Sequence, residues 1–168
     1  MTELETYRAE KDAFFRSHPQ SPLPLTERST FSGLCYFPEN ADLRFEVRVT
    51  EFEAHDTLPV QTTTGELRHY QRHGRFQFAV NGQMAELTIY LTEHGYFLPF
   101  VDALAGIETY GAGRYVEPEP MGDGTFLVDF NLAYNPYCAY NDRYSCPLTP
   151  AENRLAVAIR AGEKNYHT

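Results

Sequence analysis

The sequence has no tryptophan and few positive charges. Its 14 Lys and Arg residues stand against 23 Asp and Glu residues, which gives a formal net charge of -9 at pH 7. Non-specific attraction to nucleic acid or to anionic lipid comes from clustered Lys and Arg, and no basic run occurs here. We therefore predict that neither nucleic acid nor a membrane is a partner.

Long apolar stretches are also missing. A membrane-spanning helix needs about 18 consecutive apolar residues, which the sequence lacks, and the opening MTELETYRAEKDAFF is too charged for a secretory signal. These features predict a cytoplasmic protein. In that compartment we expect the three cysteines to be reduced unless they are catalytic or bind a metal.

Apolar and aromatic residues are plentiful, since 42% of the chain is hydrophobic and twelve Tyr and twelve Phe are present. A chain of 168 residues with this composition can form one domain whose core needs no metal or disulfide. We predict a single domain over residues 1–168. It would consist of an N-terminal helix within residues 1–19 and a β-rich body over residues 40–164.

The N-terminal segment has the pattern of a helix over roughly residues 3–17. Thr2 and Glu5 fit a capping box, and an imperfect apolar stripe follows them, interrupted by Lys11. Pro19 pushes the residue before it out of the helical region, so we expect the helix to end at His18.

Period-two alternation of apolar and polar residues predicts strands further along the chain. It covers residues 43–49 and 126–132, and residues 57–64 suit an edge strand because they contain Pro59. Residues 155–159 alternate as well. We interpret them as a strand, although their Ala-rich setting also allows a short helix.

The clearest local feature is a hairpin with Asn-Gly at residues 81–82. A two-residue type I′ turn there places Phe76 opposite Leu87 and Phe78 opposite Ala85, with all four side chains on one face. One sizeable helix and seven to eight short strands joined by such turns predict a mainly β fold. The expected architecture is an antiparallel β-barrel or sandwich.

Several sequence motifs resemble those of the DUF1684 family, a family of bacterial and archaeal proteins of unknown function. The motifs are FSGLCYFP at 31–38, ETYGAGRY at 108–115, DFNLAYNPYCAY at 129–140, CPLTPAEN at 146–153 and AGEK at 161–164. The resemblance covers nearly the whole chain. It implies no established activity, cofactor or catalytic residue, so the cofactor is unknown.

The Gly-Ala-Gly-Arg segment at residues 111–114 invites a phosphate-loop interpretation, because glycines let backbone amides approach an anion and arginine can hold it. Arg-Tyr-Val and prolines follow it rather than a helix, so the dinucleotide fingerprint fails. Turn glycines beside an arginine that pairs with a carboxylate of the fold are the alternative. Either way, we expect Arg114 to lie near a pocket that Tyr110 or Tyr115 shares.

Cys138 and Cys146 enclose a short turn-rich loop. We expect the two thiols to lie close together and to be reduced; a disulfide, a metal site and redox catalysis are the alternatives. Cys35 is expected in the core. His69 and His73 have the spacing of a helical metal site, but their segment is predicted as strand and separates them too widely, so no metal is expected.

Three carboxylates, Asp102, Glu108 and Asp129, could supply an acid/base pair if folding brought two of them together. Pairing with an arginine of the fold is their structural alternative. Sequence alone does not give the distances that decide between the two.

Polar and aromatic residues concentrate in loops beside well-patterned strands, which is where binding sites occur. We therefore predict a small-ligand-binding β-domain whose possible ligand is a small anion. The alternatives are a hydrolase-like enzyme that uses a carboxylate pair or Cys138, and a structural or homo-oligomeric assembly module. The predicted ligand-binding residues are Tyr110, Arg114, Tyr115, Asp129, Asn131, Tyr134, Asn135 and Tyr140.

Overall fold

The structure is a computed structural model and describes residues 1–167. Its first element is helix α1, Glu3–Ser17, which is capped as predicted: the amide of Glu5 donates to Thr2 Oγ1 at 3.1 Å, and the Thr2 amide donates to Glu5 Oε2 at 2.8 Å. The helix ends at His18, before the proline. A single-turn helix α2, Leu25–Arg28, follows.

Nine strands form two antiparallel sheets in the described part of the chain. Their bounds are β1 Arg44–Arg48, β2 Thr50–Glu51, β3 Thr57–Gln61, β4 Leu67–Val80, β5 Gln83–Thr92, β6 Gly95–Phe100, β7 Arg114–Val116, β8 Glu119–Gly122 and β9 Thr125–Asp129. The smaller sheet has the order β1-β9-β8. The larger has the order β2-β4-β5-β6-β7, with β3 also paired to β4. Of the two predicted architectures, the sandwich fits and the closed barrel does not.

The predicted hairpin is confirmed. Residues 81–82 both have positive φ, 50° and 79°, as a type I′ turn requires. The register pairs Phe76 with Leu87 and Phe78 with Ala85. Three of these side chains are buried and Ala85 is partly buried against the core.

Both sheets contribute to the main hydrophobic core. Phe76 and Phe100 come from the larger sheet and Val128 from the smaller one, and all three are at most 2% exposed. A second cluster packs Phe15 of α1 against Tyr140, with their rings 4.9 Å apart and nearly perpendicular. This second cluster attaches the helix to the C-terminal loops.

The prediction of a strand at residues 155–159 was wrong. The burial alternation is real, since Val157 and Ile159 are buried, but the segment has no regular ladder. Its partners are irregular: the Leu155 amide donates to the Val101 carbonyl at 2.7 Å, and the Ile159 amide donates to the carboxylate of Asp102 at 2.9 Å. The buried carboxylate of Asp102 thus accepts a backbone hydrogen bond that a neighbouring strand would accept in a regular sheet.

Two smaller predictions also fail. The strand predicted over residues 126–132 ends earlier, because β9 stops at Asp129 and Phe130–Leu132 is a 3-10 turn. The side chain of Leu132 is 41% exposed. Cys35 is exposed rather than in the core.

Among the described residues, no helix is both long enough and apolar enough to cross a membrane.

Candidate ligand-binding cleft

A cleft of about 1240 Å³ lies between α1, the start of β4, the β5–β6 turn and the C-terminal loops. Ligand pockets typically have volumes of roughly 300–1,000 Å³, so a small organic molecule fits. The residues that line it are Tyr7, Glu10, Lys11, Phe14, Phe15, Arg68, His69, Tyr70, Thr92, Glu93, His94, Phe97, Tyr115, Glu117, Tyr134, Asn135, Pro136, Tyr137, Tyr144, Ser145, Cys146 and Pro147.

Helix α1 forms one wall. Tyr7, Lys11 and Phe14 follow one another at intervals of four and three residues, so they lie on one face of the helix. The Lys11 ammonium forms an ion pair with Glu163 and lies 5.1 Å from the centre of the Tyr134 ring. Lys11, the charged residue that interrupts the apolar stripe of α1, thus joins this wall to Glu163 at the floor of the cleft.

Glu163 is the buried anchor beneath that wall, with a side chain that is only 2% exposed. Its carboxylate pairs with Lys11 and accepts a hydrogen bond from the Tyr140 hydroxyl. It also accepts one from the backbone amide of Asn135, at 3.1 Å. Burial, followed by the charge of Glu163, raises the pKa of Tyr140 well above its usual value. The tyrosine therefore stays a donor to the carboxylate at neutral pH.

Aromatic rings form a second wall. Phe97 packs against Tyr115 at 4.7 Å and against Tyr70 at 5.6 Å between ring centres, both in edge-to-face geometry. The hydroxyl of Tyr115 donates to the Pro147 carbonyl at 2.5 Å, so that ring cannot rotate freely. Burial raises the pKa of Tyr115, which keeps this donor protonated.

Tyr134 extends the aromatic wall toward the helix. Its ring lies 5.7 Å from that of Tyr115, and its hydroxyl donates to Glu117 Oε1 at 3.0 Å. Burial, with the neighbouring charge of Glu117, raises the pKa of Tyr134 above its ordinary value. Because both hydroxyls are already bonded within the protein, these two tyrosines offer mainly ring surface to the cleft.

Two cations line the cleft and differ in their partners. Lys11 is neutralised by Glu163. Arg68 forms no salt bridge within residues 1–167, and its Nη2 donates to the Ser145 carbonyl at 3.0 Å. Arg68 is exposed, so it is the cation that can still bind an anionic group of a ligand.

The predicted site residues divide into two groups. Tyr115, Tyr134 and Asn135 line the cleft. The side chains of Tyr110, Arg114, Asp129, Asn131 and Tyr140 do not belong to its lining.

Arg114 serves the fold instead of the cleft. Its guanidinium is 1% exposed and donates to the carbonyls of Ile159, Ala161 and Glu163, at 2.9, 2.5 and 3.0 Å. It also lies 3.7 Å from the carboxylate of Asp102. Burial lowers the pKa of Arg114 to about 10, so it remains a cation at neutral pH. Of the two interpretations of the Gly-Ala-Gly-Arg segment, the structure fits the one in which turn glycines lie beside an arginine that pairs with a carboxylate of the fold. That carboxylate belongs to Asp102.

The residues of the 129–131 turn also have internal partners. Asp129 Oδ1 accepts from the Asn131 amide at 3.0 Å. Asn131 in turn binds both backbone groups of Asn40, at 2.9 Å each, and so joins the segment before β1 to the turn after β9. These residues therefore serve the fold at one end of the smaller sheet.

Of the two possibilities for the carboxylates Asp102, Glu108 and Asp129, an acid/base pair in the cleft is not the one observed. Asp102 accepts from the Thr109 hydroxyl at 2.7 Å, and Glu108 pairs with Arg160 on the surface. Asp129 pairs weakly with Arg44 at 3.8 Å. Each carboxylate thus has a structural partner of its own, and none of the three lines the cleft.

The two cysteines of the C-terminal loop do lie together, as predicted. The amide of Cys138 lies 3.3 Å from Cys146 Sγ, and both thiols are free. The Tyr110 hydroxyl lies 3.7 Å from Cys138 Sγ. The hydrogen bond from Cys146, with a further one from Tyr110, lowers the pKa of Cys138 to about 6. The pKa of Cys146 is raised because its thiol donates to Cys138 and is buried.

Sequence reasoning missed the cleft residues that come from α1, β4 and the β5–β6 turn. For Lys11 a signal was available, because a charged side chain on the buried face of a helix needs a partner. For Arg68 and Phe97 there was none, since only the folded sheet brings β4 and β6 next to the C-terminal loops.

The model of the family described as Protein of unknown function (DUF1684) matches residues 29–164. No curated protein matches the chain. Among solved structures, the solution NMR structure of an uncharacterized protein from Haloarcula marismortui is 38% identical and superposes with a TM-score of 0.73. That match covers 96% of this chain and 92% of the other.

Proposed function

Because the chain belongs to the DUF1684 family, whose function is unknown, we propose a function from the cleft itself. The cleft binds a small molecule with a flat apolar body and one anionic group. The observation that carries this proposal is the wall of fixed aromatic rings around about 1240 Å³ of open space.

The wall is organised before a ligand arrives. The Tyr115 and Tyr134 hydroxyls are held by Pro147 and Glu117, and the Phe97 ring packs between Tyr70 and Tyr115. Rings that are already immobile lose little entropy on binding, which favours affinity. Flat ring faces complement planar or apolar ligand surfaces.

The polar end of the ligand is assigned to Arg68. A guanidinium can bind a carboxylate or phosphate through two parallel hydrogen bonds, and this one has no carboxylate partner among residues 1–167. Asn135 adds a polar feature at the floor, since its buried Oδ1 has no hydrogen-bond partner among the described residues. A ligand donor or a bound water would satisfy it.

Thermal unfolding with a panel of aromatic monocarboxylates of one and two rings, each beside its neutral amide, tests the proposal. A ligand at about 100 times its Kd stabilises the native state by about 2.7 kcal/mol. For a chain of this size, Tm should rise by roughly 5–10 °C. The acids should stabilise the protein more than the amides do.

Two arginine variants separate the cleft from general charge effects. Arg68→Ala should remove the preference for acids over amides. Arg75→Ala is the matched control, because Arg75 is an exposed arginine of the same strand, outside the cleft lining. If no compound of either kind stabilises the protein, or if Arg75→Ala has the same effect as Arg68→Ala, the proposal is wrong.

Thiol chemistry at Cys138 is a second candidate function. The observation that favours it is the lowered pKa of this thiol beside Cys146, which itself lines the cleft. A thiolate at neutral pH is a nucleophile. Homo-oligomeric assembly stays a prediction that sedimentation measurements would check.

A further inference from the structure

A second cluster of polar side chains lies where β2 meets β4. From residues Glu51, His55 and His73 of this cluster, we propose that the protein has a binding site for Zn²⁺ or a similar divalent transition metal. These side chains offer one carboxylate oxygen and two imidazole nitrogens, all within 4.8 Å of one another. The site is independent of the ligand proposed for the cleft, since none of its three residues lines that cleft.

The distances suit a metal ion. Glu51 Oε1 lies 3.6 Å from His55 Nε2 and 3.6 Å from His73 Nδ1. Ligands of a tetrahedral zinc lie about 2.1 Å from the ion, which places them about 3.4 Å from one another. These two separations need only a small adjustment to reach that geometry, and the two imidazole nitrogens lie within 4.8 Å of each other.

The backbone brings the three residues together. Strand β4 has an irregularity between Arg72 and Gly74, so His73 has no partner in the β4–β5 register. Its carbonyl accepts from the Phe52 amide at 3.0 Å. The Arg72 amide donates to the Asp56 carbonyl at 2.9 Å, so both ends of the loop that carries His55 are fixed to β4.

A glycine permits the close approach of the carboxylate. Glu51 lies opposite Gly74 in the sheet, and a Cβ on Gly74 would lie 2.7 Å from the Thr50 carbonyl oxygen and 3.0 Å from Glu51 Cα. Real Cβ atoms do not approach backbone atoms so closely. Only glycine at position 74 therefore lets β2 place Glu51 beside His73.

Packing holds the His73 ring in position. Its side chain contacts the rings of Tyr96 and Phe126, at 4.9 and 5.8 Å between ring centres, and is only 11% exposed. His55 and Glu51 are more exposed and close the site from the solvent side.

Two histidines and one carboxylate provide three protein ligands. Structural zinc sites use four, whereas sites with three leave a position for water or for a substrate oxygen. The cluster therefore fits an accessible metal better than a closed structural one. His69, which the sequence pairs with His73 by spacing, is not part of it.

Calorimetric titration of the chelator-treated protein with zinc chloride tests the site. We expect one Zn²⁺ per chain, and at least about tenfold weaker binding in Glu51→Gln and in His55→Ala, since loss of even an outer-shell partner weakens metal sites by about 10–100-fold. His94→Ala is the matched control, because His94 also lies beside a glutamate, Glu93, but belongs to no group of three metal-ligating side chains among residues 1–167.

NMR of the histidine rings gives a second measurement that does not depend on affinity. Zinc should shift the ring nitrogen signals of His55 and His73 and leave those of His69 unchanged. Absence of a saturable site, wild-type affinity in either ligand variant, or an equal loss of affinity in His94→Ala would overturn the assignment.

Discussion

Arg114 and Asp102 form an ion pair inside the protein, with Nη2 and Oδ2 3.7 Å apart and both side chains at most 2% exposed. The pair joins β7 to the C-terminal segment, because Asp102 also binds the Ile159 amide and Arg114 binds three carbonyls of that segment. Two side chains thus organise a stretch of chain that has no regular secondary structure. The same stretch ends in Glu163, which anchors α1 at the cleft.

Replacing Arg114 should therefore destabilise the whole protein. Arg114→Met keeps the length of the side chain but leaves Asp102 as a buried charge without its cation, which costs about 3–5 kcal/mol. Urea unfolding measures the loss. Arg160→Met is the control, because Arg160 pairs with Glu108 on the surface and surface pairs contribute about 1 kcal/mol or less. Equal stability of the two variants would refute the organising role of Arg114.

The two glycines of the Gly-Ala-Gly segment should respond differently to alanine. Gly113 has φ of 101°, and a Cβ there would lie 2.6 Å from the Phe100 carbonyl oxygen. Around Gly111 the nearest atoms would be 3.9 Å away. We expect Gly113→Ala to lose at least about 2 kcal/mol, since a left-handed conformation alone costs a residue with Cβ roughly 1–2 kcal/mol. Gly111→Ala should stay within about 0.5 kcal/mol of the unchanged protein; a similar loss in both variants would contradict this.

Cys138 should react as a thiolate in mildly acidic solution. Its pKa is lowered to about 6, first by the hydrogen bond from Cys146, so the nucleophilic form predominates above pH 6 and is lost below it. The rate of alkylation by iodoacetamide, followed by peptide mass spectrometry, should be half-maximal near pH 6 in the folded protein. In urea the midpoint should move to about pH 8.5, the ordinary value for cysteine. An unchanged midpoint on unfolding would show that the fold does not activate this thiol.

Local structure was predictable where short-range chemistry determines it. Thr2 and Glu5 cap α1 as expected, and the Asn-Gly turn at residues 81–82 sets the register of β4 and β5. In both cases residues within a few positions of each other satisfy the relevant backbone groups or supply the required positive φ. The core positions followed from the alternation in those strands.

The candidate site was only partly predictable, because its geometry depends on contacts between distant residues. Lys11 and Glu163 are separated by 152 positions, and nothing local indicates that they pair. Arg114 and Tyr115 were both predicted to be site residues, but successive strand residues point to opposite faces. Tyr115 therefore lines the cleft while Arg114 enters the interior.

The proposed metal cluster also depends on contacts between residues that are distant in sequence. From the sequence, a regular strand separates His69 and His73 too widely for one ion. In the folded chain, the irregularity next to Gly74 brings β2 and the loop after it against His73. The partner residues are 18 and 22 positions away in sequence.

Binding in the cleft can be located residue by residue through amide chemical shifts of isotope-labelled protein, titrated with the aromatic monocarboxylate that gives the largest rise in Tm. The proposed function predicts saturable shifts concentrated at Lys11, Arg68, Phe97 and Tyr134, and none at the hairpin turn of residues 81–82, which lies outside the cleft lining. Shifts that concentrate outside the cleft, or that fail to saturate, would show that the aromatic cleft is not the ligand site.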